Sequence, residues 1–146
     1  MNLSIFGERL REYMFYAGLN SVSLSKEIAV SRSTISELAR GEFLPSYKTF
    51  IKLIEYFNCS ADYLFGLSND SKENINFNPA EPFGERLRYL IETEHKSQYG
   101  LEKQKKISGS IVYDWLSGKY LPSIENLVKV ANYFDRSVDY LLGREK

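Results

Sequence analysis

The stretch Leu24-Ser25-Lys26-Glu27-Ile28-Ala29-Val30-Ser31-Arg32-Ser33-Thr34-Ile35-Ser36-Glu37-Leu38-Ala39-Arg40 decides the fold. Two helices that cross steeply over a short turn must bury a fixed set of side chains. Leu24 and Ile28 fall on one face of the first helix, Val30 sits in the turn, and Ile35 and Leu38 face back from the second. Ser25 lies at the crossing, where a small side chain lets the helices approach. What remains on the second helix is polar: Arg32, Ser33, Thr34, Ser36 and Glu37. Such groups donate to and accept from base edges.

Outward from this stretch, the period stays helical. Phe6, Leu10 and Met14 recur at four-residue spacing, as do Phe50, Ile54 and Phe57 with one three-residue step. No apolar–polar alternation of strand length occurs. The pattern predicts five helices, near residues 4–17, 21–28, 32–40, 47–57 and 61–66. Asn20, Ser31, Ser46 and Ser60 stand where N-caps are needed, and Gly18, Gly41 and Gly66 where helices end.

The whole pattern then repeats 77 positions later without gaps, with roughly a third of the aligned residues identical. Phe6-Gly7-Glu8-Arg9-Leu10-Arg11 lies over Phe83-Gly84-Glu85-Arg86-Leu87-Arg88, Leu44-Pro45-Ser46 over Leu121-Pro122-Ser123, and Asp62-Tyr63-Leu64 over Asp139-Tyr140-Leu141. A period this long means two domains rather than solenoid units. The expected division is a first domain over 1–67, a linker over 68–81 and a second, divergent domain over 82–146. The linker is rich in Asn, Ser and acids. It reads as exposed, and fully stretched its residues would span on the order of 45 Å.

Composition narrows the function. The 146 residues carry 19 basic and 19 acidic groups, so the formal net charge is zero. DNA binding then requires a local basic patch, because phosphate neutralisation supplies much of the affinity. No apolar run is long enough to span a bilayer, and the N-terminus lacks the pattern of a signal peptide, so no membrane association is expected. Cys59 is the only cysteine and cannot form an internal disulfide, which fits a cytoplasmic protein. One cysteine and one histidine, His95, cannot supply a metal site. There is no phosphate-binding glycine loop and no nucleophile–base pair. The chain is read as no enzyme, with no cofactor, no metal and no small-molecule ligand.

The motif Leu24-Ser25 through Val30-Ser31-Arg32-Ser33-Thr34-Ile35-Ser36 resembles the core of the phage-repressor/Cro-like (XRE) family, as do Arg40-Gly41, Pro45-Ser46 and Asp62-Tyr63-Leu64-Phe65-Gly66. The resemblance covers the first repeat and, more loosely, the second. It implies an all-α protein of two five-helix helix-turn-helix domains in tandem. It implies a sequence-specific transcriptional regulator, repressor-like in type, whose recognition helix 32–40 enters the major groove of double-stranded DNA. By that match Arg32, Ser33, Thr34, Ser36 and Glu37 would read bases. Asn20, Ser21, Arg40, Ser46 and Lys48 would contact the backbone, joined in repeat two by Ser97, Gln98 and Lys119. A homodimer is a further expectation, since one domain covers only a few base pairs.

Departures from the family are informative. Its usual turn glycine is here Ala29 and Lys106, and its Arg–Glu pair between helices one and three is replaced by Met14 with Ala39 and by Ile91 with Leu116. In repeat two Glu102 takes the small crossing position and Lys105 an apolar one. Its recognition helix offers Gly109, Ser110, Ile111, Tyr113 and Asp114, without an Arg equivalent to Arg32. Ile111 and Tyr113 mark either a solvated helix face or a partner surface. The alternative function is therefore a helix-turn-helix-derived protein-interaction module, for dimerisation or antirepression, above all in domain 2. Tyr13, Tyr16, Tyr56 and Tyr133 read as core or core edge, Tyr47, Tyr113 and Tyr120 as near the DNA face, and Cys59 as a buried small hydrophobe.

Overall fold

Every expected serine or asparagine cap closes a helix in the structure, a computed structural model that describes residues 2–146; Met1, the first residue of the expected first domain, lies outside them. In the first unit, which runs to Asn76, the helices are α1 (Leu3–Tyr16), α2 (Ser21–Ile28), α3 (Arg32–Ala39), α4 (Tyr47–Phe57) and α5 (Ala61–Leu64). Asn20 Oδ1 accepts from the Ser23 amide at 2.9 Å while Ser23 Oγ accepts from the Asn20 amide, a reciprocal capping box. Ser31, Ser46 and Ser60 each accept from the amide three residues on, at 3.1–3.2 Å. α1 starts one residue earlier than expected because Asn2 caps it through the Ile5 amide.

The second unit, Phe77–Lys146, repeats the order as α6 (Phe83–Thr93), α7 (Gln98–Lys105), α8 (Gly109–Ser117), α9 (Ile124–Phe134) and α10 (Val138–Leu141). Ser97, Ser108, Ser123 and Ser137 are its caps. Among the described residues the chain is all-helical, without strands.

Each core is built on the repeated positions. In the first unit Phe50 and Phe65 stack with ring centroids 4.3 Å apart and Phe6 adds its ring to Phe65 at 5.8 Å. In the second, Phe83 meets Trp115 edge-on at 5.8 Å. The repeated glycine of the Phe-Gly-Glu-Arg motif lets the first helix of each unit touch the end of the third. A Cβ on Gly7 would stand 2.8 Å from the Gly41 nitrogen and 2.9 Å from the Ala39 carbonyl oxygen. One on Gly84 would collide with the Trp115 carbonyl oxygen. Arg11 also donates to the Ala39 carbonyl, so a guanidinium serves the C-terminal end of α3. Met14 and Ala39, the pair that stands where the family places an ion pair, are both buried.

Two tyrosine expectations are corrected by the structure. Tyr16 is not core: it ends α1 at 85% exposure, with Phe15 beside it. Tyr56 is likewise exposed, whereas Tyr133 is buried. The 68–81 segment is exposed or half-buried at every residue but Phe77, and it is held by contacts to each unit. Ser68 and Asn69 accept from the Arg9 guanidinium at 2.8 and 3.1 Å, and the Ile75 carbonyl accepts from Asn58 Nδ2 at 3.3 Å. On the other side Phe77 is buried with the Arg144 guanidinium 4.5 Å from its ring centre. The Asn78 and Glu81 amides donate to the Arg144 and Leu142 carbonyls, both at 2.9 Å. Composition gave little hint of this, because most of the anchors are backbone groups, joined by Asn69 Oδ1 and a single aromatic ring.

Candidate nucleic-acid interface

Leu24, Ile28, Ile35 and Leu38 are all buried between α2 and α3, so the opposite face of α3 turns outward. Arg32 and Ser33 lie fully on that face, while Thr34, Ser36 and Glu37 are half-buried at its flanks. The Arg32 side chain makes no hydrogen bond or ion pair among the described residues and projects from the first turn of α3. Ser36 behaves differently. Its Oγ donates to Ser21 Oγ at 3.0 Å and so ties α3 to the start of α2. Thr34 is drawn into the cap, its Oγ1 accepting from Ser31 Oγ at 2.7 Å.

The backbone-contact candidates surround this face. Asn20 and Ser21 begin α2, and Ser46 with Lys48 begins α4. Both helices have unsatisfied amides at their N-termini, where the dipole favours anions. The cap side chains themselves are occupied, so the amides and the exposed Lys48 are the groups left for phosphate. Arg40 pairs with Glu42 at 3.1 Å. Both are largely exposed, and a surface pair of this kind is worth about 0–1 kcal/mol, little enough to be exchanged for a phosphate.

Tyr47, expected near this face, is buried at the start of α4. Burial first, and the charge of Glu55 second, push its phenol well above the ordinary tyrosine range. It is a core residue. Its aromatic ring falls on the buried side of α4 with Phe50 and Ile54, a period that the sequence did contain.

In the second unit, Ser97 caps α7 through the Gly100 amide at 2.9 Å, and its carbonyl accepts from the Tyr133 hydroxyl at 2.9 Å. Gln98 is half-buried and Lys119 is exposed, its ammonium 5.4 Å from the Tyr120 ring centre. On α8, Ser110 is exposed, Asp114 is half-buried, and Ile111 and Tyr113 are 42% and 67% exposed. Ile111 and Tyr113 do not lie side by side. Residues two apart on a helix are rotated by about 200°, so they occupy opposite flanks.

One relation at this site escaped the sequence reading. Glu102, at the crossing position, reaches over the first turn of α8. Its Oε1 lies 2.8 Å and its Oε2 3.5 Å from where a Cβ of residue 109 would stand. The carboxylate of Glu102 on α7 thus stands over Gly109 of α8, at the repeat positions that hold Ser25 and Arg32 in the first unit. Pairing the two substitutions at their repeat positions was the available signal. Among the described residues, no group of three histidine, cysteine or acidic side chains could hold a metal ion. No helix there is long and apolar enough to cross a membrane.

Residues 17–64 and 87–141 each match the helix-turn-helix family. The chain belongs to the XRE-type helix-turn-helix family, in two tandem copies. The matched segments take in α2 to α5 and most of α6 to α10. As a helix-turn-helix protein it is a DNA-binding regulator, with DNA as its partner. No curated protein and no solved structure matches the chain.

Proposed function

We propose that this helix-turn-helix protein is a sequence-specific transcriptional regulator in which α3, with Arg40 just beyond it, lies in the major groove. The observation that carries the reading is Arg32: an exposed guanidinium without a hydrogen-bond or ion-pair partner among the described residues, on a helix braced by four buried side chains and by the Ser36–Ser21 bond. A guanidinium placed this way recognises guanine O6 and N7 in a fork. Ser33 and Glu37 share the outer face with it, and Thr34 and Ser36 set its edges. The α2 and α4 N-termini, with Lys48 and Arg40, hold the phosphates on either side and fix the register. Domain 1 then covers one half-site. Domain 2 covers the other through α8 and the Ser97–Gln98 start of α7, with Lys119 at its rim; a homodimer would multiply the same arrangement.

The reading of domain 2 as a protein-docking module draws on Ile111 and Tyr113. Two side chains on opposite flanks of α8 form no common patch, and this favours DNA as the ligand of both domains.

The test is Arg32→Ala in the full chain. Arg32 is exposed and buries nothing, so the fold and melting temperature stay as they are. Affinity for the cognate duplex falls by about 1–3 kcal/mol, and discrimination at the contacted base pair relaxes. Wild-type affinity with wild-type base preference in that variant overturns the proposal.

A further inference from the structure

The geometry points to Glu102 as the residue that sets base preference in domain 2, a carboxylate standing where domain 1 presents a guanidinium. The inference rests on the reading above that both domains meet DNA. Positions 25 and 102 correspond in the repeat, as do 32 and 109. In domain 1, Ser25 turns its hydroxyl back onto the Val22 carbonyl at 2.6 Å, which leaves the first turn of α3 uncovered for Arg32. In domain 2 the first residue of α8 is Gly109, and the carboxylate of Glu102 occupies the space above it. The functional group at the head of the recognition helix has thus moved from α8 to α7, and its charge has reversed.

Three features favour a ligand role. Glu102 is half-buried, and no hydrogen bond or ion pair engages its carboxylate among the described residues. It sits by the N-terminus of α8, where the helix dipole is favourable to a negative charge. And a carboxylate only accepts, so in the major groove it pairs with an exocyclic amino group, cytosine N4 above all, and is repelled by guanine O6 and N7. The operator of this protein is therefore asymmetric. The base pair facing the head of α3 presents acceptors, and the equivalent base pair facing α8 presents an amino donor.

The experiment is selection of the full chain on a randomised duplex, with wild type, Glu102→Gln and the double variant Glu102→Ser/Gly109→Arg. The double variant recreates the pairing of domain 1, so its packing is preserved. In the wild type, the half-site opposite domain 2 contains one position that favours an amino-bearing edge. Glu102→Gln, equal in size but able to donate, loses that preference and tolerates guanine. The double variant acquires a guanine preference there of about ten- to a hundredfold. A carboxylate that merely fills space would leave base preference unmoved in Glu102→Gln, and so overturn the inference. So would a wild-type selection with no position specified by domain 2. In either case Arg32→Ala still relaxes the half-site of domain 1 if the functional reading stands, and leaves it unchanged if that reading fails.

Discussion

Ala29 and Lys106 hold the tightest backbone in each helix-turn-helix. They end α2 and α7 in the left-handed region, at φ 56° and 54°. An L-residue there costs about 1–2 kcal/mol. The equivalent turns after α4 and α9 use Asn58 and Asp135, types that enter this region more readily. Ala29→Gly therefore removes strain, although the greater freedom of glycine in the unfolded chain takes back about 0.5–1 kcal/mol. The net expectation is a gain of up to about 1 kcal/mol in denaturant unfolding, with DNA affinity unchanged. A loss of stability would mean that the methyl group of Ala29 supports packing beyond the strain it carries. Gly7 and Gly84 make the opposite case, since there the missing side chain is required by a neighbouring backbone that cannot yield.

At the scale of the elements, nine of the ten helices among the described residues start on a serine or asparagine cap, and apolar spacing with a glycine or turn after the end made them legible; α6 starts behind Pro82 without a side-chain cap and was legible only from its repeat of α1. What the sequence hid was direction within that frame. Tyr47 and Tyr16 are one residue type, yet one falls on the apolar stripe of α4 and the other just past the stripe of α1. Arg9 and Arg86, identical in the two repeats, look like DNA contacts on charge alone. Both instead hold the last helix of their unit, Arg9 through the Tyr63 carbonyl and Arg86 through the Tyr140 carbonyl at 2.7 Å. The electrostatics of α10 likewise diverge from those of α5. Asp139 pairs with Arg144 at 2.5 Å with both side chains 1% exposed, whereas the residue equivalent to Arg144 in domain 1 is Leu67. Asp139→Asn strands a buried guanidinium and should cost domain 2 about 3–5 kcal/mol. Asp62→Asn, at the matching position of domain 1, should cost distinctly less. Unfolding of the two variants followed by a probe in each domain separates them, and equal losses would show that the buried pair adds nothing to domain 2.

For the whole molecule the deciding feature is how little of the connection between the units is loose. Domain 1 holds the chain through Ser68, Asn69 and Ile75, and domain 2 takes it up again at Phe77, Asn78 and Glu81. Asn76 alone is left between the two sets of anchors, and two residues of extended chain reach only about 7 Å. On the proposed reading that both domains meet DNA, so short a joint restricts the half-site separations that the chain can bridge. The expected behaviour is a sharp optimum when two half-sites are moved apart base pair by base pair, with steep loss of affinity on either side. Inserting a Gly-Ser run of about ten residues between Asn76 and Phe77 leaves every anchor in place and lengthens only the joint. It should broaden the optimum over neighbouring spacings while lowering affinity at the best one, because the effective concentration of the second domain falls as its range grows. A wild-type chain that tolerates half-site separations differing by a full helical turn would show that the anchors release on binding and that the joint sets no spacing.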